Sequence, residues 1–177
     1  MTDAGRLIIR FENHVFWDRW GKSHEADFRA HFTFDPAKRW TKQKYRSSAA
    51  DAWKTSHGER GQSAEWEAFG IARTFDESAA MQSISMGAPQ IMGFNHAAIG
   101  YDSAREMFDR FSTDERYHIL GLFDFVKGGG ATSRMLEALR REQYEQFATY
   151  YNGNGQASEY GSRIRAAASA FATIAPR

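Results

Sequence analysis

The chain has 177 residues, 42% hydrophobic and 25% charged, with a formal net charge of +1. This is the composition of an ordinary globular domain large enough to bury a core, without the clustered basic face of a nucleic-acid binder. It has no cysteine, which excludes disulfides, thiolate metal sites and thiol nucleophiles. No apolar run reaches the roughly 18 residues of a membrane span, and the opening M-T-D-A-G-R lacks a charged-then-apolar leader. Synthesis in the cytoplasm without membrane insertion is therefore expected.

Residues 6–11 read as a short strand or extended entry, since Leu7, Ile8 and Ile9 form a compact β-favouring run. Glu12, Asn13 and His14 follow at once, and Val15, Phe16, Trp17 and Trp20 supply bulky mass for a core. Residues 21–63 show no regular period. They hold Pro36, the sequence H-G-E-R-G-Q-S and a basic segment, residues 38–46, where Lys38, Arg39, Lys42, Lys44 and Arg46 lie beside Trp40 and Tyr45. A solvated loop is the plainer reading of that segment, and attraction to an anionic polymer the functional one.

Ser63 is expected to cap a helix from Ala64, with Trp66, Phe69, Ile71 and Phe75 at mostly helical spacing. Asp76 begins a shorter helix through Met81, and another covers 103–111. Ser112 and Glu115 fit a capping box for a helix with Ile119, Leu122, Phe123 and Val126 on one face, ended by Gly128, Gly129 and Gly130. Met135, Leu136 and Leu139 mark the next helix. Residues 142–151 form another, with Tyr144, Phe147 and Tyr151 inward and Gly153 as its stop. The last spans 158–174, with Ile164, Ala168 and Phe171 as its stripe. The expectation is one mostly α domain, residues 1–177, with a short irregular β element near the N-terminus.

The most informative stretch is residues 83–96, S-I-S-M-G-A-P-Q-I-M-G-F-N-H. Glycine and proline break its backbone into turns, while Ile84, Met86, Ile91, Met92 and Phe94 pin it to a core, so Gln90, Asn95 and His96 are presented at fixed positions. It resembles the S-x-G-x-x-Q-I segment of lysozyme-like enzymes that cut bacterial cell-wall glycan. With R-L-I-I-R-F-E-N-H at 6–14 and T-Y-Y-N-G-N-G-Q at 149–156, the chain resembles the N-acetylmuramidase domain of phage endolysins and related bacterial proteins, over about residues 5–164.

That resemblance implies a lysozyme-like fold and hydrolysis of the β-1,4 bond between N-acetylmuramic acid and N-acetylglucosamine. It implies peptidoglycan glycan strands as partner, and action on the cell wall (periplasm) after release by a holin. In the family the proton-donating glutamate lies in a Glu-Ser-Gly-Gly-like stretch upstream of the segment that here reads G-R-L-I-I-R-F-E. This sequence has four residues before Gly5, so either an N-terminally truncated domain or a copy that has lost the donor is expected, and Glu12 matches the family's second acidic residue.

Cutting a glycosidic bond needs a protonated acid at the leaving oxygen, and a carboxylate that delivers water or stabilises the cationic sugar. Glu12 is the candidate for acid/base or water-positioning work. Phe11 precedes it and Val15 and Phe16 follow, so burial is expected to raise its pKa. Gln90 is the main sugar-binding candidate, because an amide both donates and accepts. Ser85, Met92, Asn95, Tyr151 and Asn152 join it, the last two by resemblance to the Tyr-Asn pair that lines a glycan groove. His14 and His96 are expected to brace the site loops.

Glu65, Glu67, Asp76 and Glu77 read as a solvated helix face or caps. The six histidines form no His-x-x-x-His pair and no His-Glu-x-x-His motif, so no metal and no cofactor are expected. Two readings compete with a monomeric hydrolase: a catalytically inactive peptidoglycan-binding module, and nucleic-acid binding through residues 38–46, which the charge supports poorly.

Overall fold

The computed structural model describes residues 5–57 and 61–174. The middle of H-G-E-R-G-Q-S therefore lies outside the described residues. In chain order the elements are β1 (Ile9–Phe11), α1 (Asn13–Arg19), α2 (Glu25–His31), β2 (Phe32–Thr33), β3 (Lys44–Tyr45), β4 (Lys54–Thr55), α3 (Gln62–Phe75) and α4 (Glu77–Gln82). They continue as β5 (Ile84–Met86), β6 (Ile91–Met92), α5 (Ala104–Thr113), α6 (Arg116–Lys127), α7 (Gly129–Arg140), α8 (Tyr144–Asn152) and α9 (Ala157–Ile174). The chain is mostly α, as the periodicity indicates, but among the described residues its β content is two three-stranded antiparallel sheets, β1-β5-β6 and β2-β3-β4. Among the described residues no helix is long and apolar enough to cross a membrane. The chain divides into two compact units, Met1–Leu122 and Phe123–Arg177.

In the first unit, β1 pairs with β5 so that Ile9 faces Met86 and Phe11 faces Ile84. Side chains alternate across a strand, so these four share one face, and all are fully buried. The rings of Phe11, Phe16, Phe28 and Phe32 meet at centroid distances of 5.5–6.2 Å, and Phe16 stacks on Trp20 at 5.1 Å.

Among the described residues no strand pairs with the second edge of β1. Side chains of α3 and its start take that place: Gln62 accepts from Ile9 N–H at 2.9 Å and donates to Ile9 C=O at 2.8 Å. Glu65 accepts from Phe11 N–H at 2.8 Å, and the Trp66 indole donates to Leu7 C=O at 3.2 Å. Buried backbone groups are thereby paired by side chains instead of a ladder. Gly93 lets β6 turn against α4; a Cβ there would sit 2.0 Å from the Met81 carbonyl oxygen.

The second sheet is smaller and differently held. Phe32 faces Tyr45 and Thr33 faces Lys44, with Lys44 opposite Thr55. Asn13, fully buried, fastens it to α1 by donating from Nδ2 to Thr33 C=O at 2.9 Å and Lys44 C=O at 2.8 Å. Within the basic segment, Arg39 pairs with Asp18 at 2.7 Å, Lys42 pairs with Asp35 at 2.9 Å, and Arg46 donates to the carbonyls of Ala30 and Ala49.

Several local expectations are corrected. The residue before α3 is Gly61, at φ +51, and Ser63 lies inside the helix. Ser112 belongs to the last turn of α5, so it does not cap the following helix; Asp114 Oδ1 accepts from Arg116 N–H at 2.9 Å at that start instead. Gly129 and Gly130 open α7 rather than end α6. On α6, Val126 is buried, but Ile119 and Phe123 are exposed.

In the second unit α8 packs on α9 at Gly161, where a Cβ would meet the Glu145 backbone at 2.6 Å. Ala148 and Ala157 are buried there, whereas Phe171 is 66% exposed and stands outside the stripe assigned to it. Gly153 follows α8 at φ +81, where glycine carries no steric penalty.

Candidate functional site

Glu12 is the first residue past β1, and its N–H bonds Ser83 C=O at 2.9 Å, which continues the pairing of β1 with β5. Its side chain follows the alternation of Arg10, away from the core face. Arg10 lies opposite Ser85, and Ser85 opposite Met92. Arg10, Ser85 and Met92 therefore line the outer face of the first sheet, with Glu12 at its end. Apolar alternation on the buried face fixes this register, because a one-residue slip would expose Phe11 and Ile84.

Gln90 joins that face through a tight turn. Both Gly87, at φ +71, and Gln90, at φ +54, are left-handed. Ser85 Oγ donates to Gln90 Oε1 at 2.8 Å, and Gln90 Nε2 donates to Gly87 C=O at 2.7 Å. The amide is thus locked by the loop. Being exposed, it still presents its second Nε2 hydrogen outward. His118 supports the turn from below: Nδ1 accepts from Ala88 N–H at 3.4 Å, and Nε2 donates to Phe111 C=O at 2.8 Å.

Around Glu12 the structure assembles a buried polar network. Oε1 lies 3.1 Å from Arg10 Nε. Oε2 accepts from Gln43 Nε2 at 2.5 Å, and His57 Nε2 stands 3.8 Å away. Gln43 Oε1 accepts from Asn13 N–H at 2.5 Å, and its Nε2 lies 3.0 Å from His57 Nε2. His57 Nδ1 is 2.7 Å from Glu65 Oε1.

The expected raised pKa of Glu12 is corrected. Burial does push the carboxyl upward, but His57, the Gln43 amide and the Arg10 charge together outweigh it, and the pKa is lowered. Glu12 is therefore a carboxylate at neutral pH. His14 Nδ1 lies 3.4 Å from the same Oε2 but has no hydrogen-bond partner among the described residues. Burial holds His14 below the usual imidazole range, against the pull of Glu12, and its ring packs edge-on to Phe34. His96 Nδ1 donates to Tyr101 C=O at 3.1 Å, and Asn95 is half-buried nearby in the 3-10 turn Gly93–Ile99.

The structure thus brings Glu12, Ser85, Gln90 and Met92 to one sheet. Tyr151 and Asn152 belong to the second unit, on α8. There Tyr151 packs on Phe147 and Phe125, both at 5.6 Å, and burial pushes its hydroxyl up to about 12; Asn152 is exposed.

Gln43, His57 and Glu65 are the residues that sequence reasoning passed over. Glu65 is 6% exposed and not on a solvated face. The signal was available: Glu65, Ala68, Phe69 and Ala72 fall at i, i+3, i+4 and i+7, so a carboxylate sits within the apolar stripe of α3. Glu67 accepts from the Tyr45 hydroxyl at 2.7 Å and pairs with Lys54. Asp76 caps α4 by accepting from Ala79 N–H, and Glu77 is surface-paired with Arg73 and Arg105.

No curated protein matches the chain. Among solved structures it is similar to "Crystal structure of Burkholderia AP3 phage endolysin", with a TM-score of 0.73 and 24% identity. The match covers 98% of this chain and 60% of that one, so the chain spans less than two thirds of that protein's length. At this identity the likeness establishes a shared fold. The family assignment comes from the sequence: the N-acetylmuramidase family model matches residues 1–172, and the chain belongs to that family.

Proposed function

We propose that the chain is a peptidoglycan hydrolase that cleaves the β-1,4 bond between N-acetylmuramic acid and N-acetylglucosamine, acting on the cell wall. The observation that carries this is the Glu12 carboxylate at the end of a sheet face that also bears Arg10, Ser85, Met92 and, through Ser85, Gln90. Family membership supports the substrate class.

A carboxylate held ionised suits two roles in this chemistry: positioning the attacking water, or offsetting positive charge as the sugar becomes oxocarbenium-like. It does not suit proton donation. Glu12 therefore takes the water-positioning part of its expected role, and the proton for the leaving oxygen comes from another acid. Gln90 presents an amide hydrogen to an acetamido or hydroxyl oxygen, and Met92 offers an apolar contact beside it. Asn95, Tyr151 and Asn152 are proposed as sugar contacts on family resemblance.

A second reading, a peptidoglycan-binding module without catalysis, draws support from the same carboxylate, since Arg10 and Gln43 already engage both its oxygens. Clearing of purified sacculi, followed by turbidity and released reducing ends, separates the two. The hydrolase reading predicts release by the wild type and a loss of about 100-fold or more in Glu12→Gln. Equal rates would remove Glu12 from the mechanism. Co-sedimentation with sacculi without reducing ends would establish the binding module.

A further inference from the structure

The orientation of the Gln43 amide is fixed by its neighbours. Asn13 N–H is a donor, so the atom it meets at 2.5 Å must be the amide oxygen. The NH₂ group then faces Glu12 Oε2 at 2.5 Å and His57 Nε2 at 3.0 Å, both nearer than the Trp40 carbonyl oxygen at 3.4 Å. A donor at 3.0 Å from Nε2 requires that nitrogen to be the acceptor, so the imidazole proton sits on Nδ1 and is donated to Glu65 Oε1. Glu65 is held in turn by Phe11 N–H, on the strand that carries Arg10 and leads into Glu12. The chain of contacts closes on itself through β1, α3 and the segment before β3.

We propose that His57 is the positioning residue of the Glu12 carboxylate, with Glu65 orienting its ring, and that a proton gained on Nε2 replaces the Gln43 bridge by a direct imidazolium–Glu12 pair. With Nε2 protonated, two N–H groups would point at each other across the 3.0 Å Gln43 contact, and Glu12 Oε2, 3.8 Å away, becomes the acceptor. The titratable and charged groups around His57 are Glu12 and Arg10 from the β1 segment, His14 beside the same Glu12 oxygen on α1, and Glu65 on α3. Burial disfavours the imidazolium, but hydrogen bonding toward Glu12 and Glu65 and the Glu65 charge outweigh it, so His57 titrates above its ordinary value. A carboxylate bound directly by an imidazolium is a weaker base toward water than one bridged by a neutral amide, so His57 links the site to pH.

The inference rests on Glu12 acting as the reaction's carboxylate, and its test has an arm independent of activity. Long-range ¹H–¹⁵N NMR of the histidine rings should show neutral His57 with its proton on Nδ1 and a titration midpoint that falls in both Glu12→Gln and Glu65→Gln. A proton on Nε2, or a midpoint unmoved by Glu12→Gln, overturns the proposal. In sacculus hydrolysis, an acid limb that follows the His57 midpoint should vanish in His57→Gln and move to lower pH in Glu65→Gln. Persistence of that limb in His57→Gln also overturns it. If the wild type releases no reducing ends at any pH, the hydrolase reading fails by itself and the NMR arm decides the role of His57.

Discussion

The two small sheets share a buried apolar anchor but differ in how much polar attachment they need. The β1-β5-β6 sheet is set by apolar residues: Ile9, Phe11, Ile84, Met86 and Ile91 bury one face, which dictates that Arg10, Ser85 and Met92 share the other. The β2-β3-β4 sheet has two-residue strands; it buries only Phe32 and Tyr45 and adds polar attachments, chiefly the two Asn13 hydrogen bonds. The comparison teaches that the hydrophobic pattern chooses which face Glu12 occupies, while the polar attachments choose its charge state, since Gln43 immediately precedes β3.

Breaking the apolar sheet should cost most. In Gly93→Ala the new methyl would lie 2.0 Å from the Met81 carbonyl oxygen, where backbone must move, so a loss of about 3 kcal/mol or more is expected in urea unfolding. Asn13→Ala removes two buried bonds to the carbonyls of Thr33 and Lys44. About 2–3 kcal/mol should be lost, with hydrogen exchange accelerated in β2 and β3 while β1 and β5 stay protected.

The pH dependence sharpens the contrast. Glu12 is lowered from 4.5 in the fold, so its contribution to stability is complete above that ordinary value and is lost as pH falls through the folded one. His57 is raised from 6.5, so its contribution is complete below that value and is lost as pH rises through the folded one. Urea unfolding across pH should show a flatter acid side in Glu12→Gln and a flatter neutral-to-alkaline side in Glu65→Gln. The smallest effect is expected for Ser85→Ala, which loses only the bond to Gln90 Oε1. It should cost about 1 kcal/mol and weaken sacculus co-sedimentation more than it lowers stability.

These differences also explain what could be read from the sequence. The apolar run at residues 7–11 announces β1 and Glu12 at its end, and the stretch at 83–96 reads as an anchored loop that presents Gln90. That this stretch also holds β5 and β6 was not legible, because Gly87, Pro89 and Gly93 interrupt the alternation. The second sheet was illegible because Phe32–Thr33, Lys44–Tyr45 and Lys54–Thr55 are too short for alternation to register. The raised pKa expected of Glu12 followed from its apolar neighbours in sequence. The lowered one comes from Gln43 and His57, which are 31 and 45 positions away in the chain, a distance no local pattern reports. Glu65 was legible, as a charge within an apolar stripe, but only by treating such a residue as a paired buried carboxylate rather than a surface one.

The central claim is that Glu12 works as an ionised carboxylate rather than as a proton donor. The most direct measurement is a ¹³C NMR titration of its side-chain carboxyl in the wild type. The account predicts a midpoint below the ordinary glutamate value that rises when Gln43 is replaced by leucine. A midpoint above that value would contradict it, and would make Glu12 an acid.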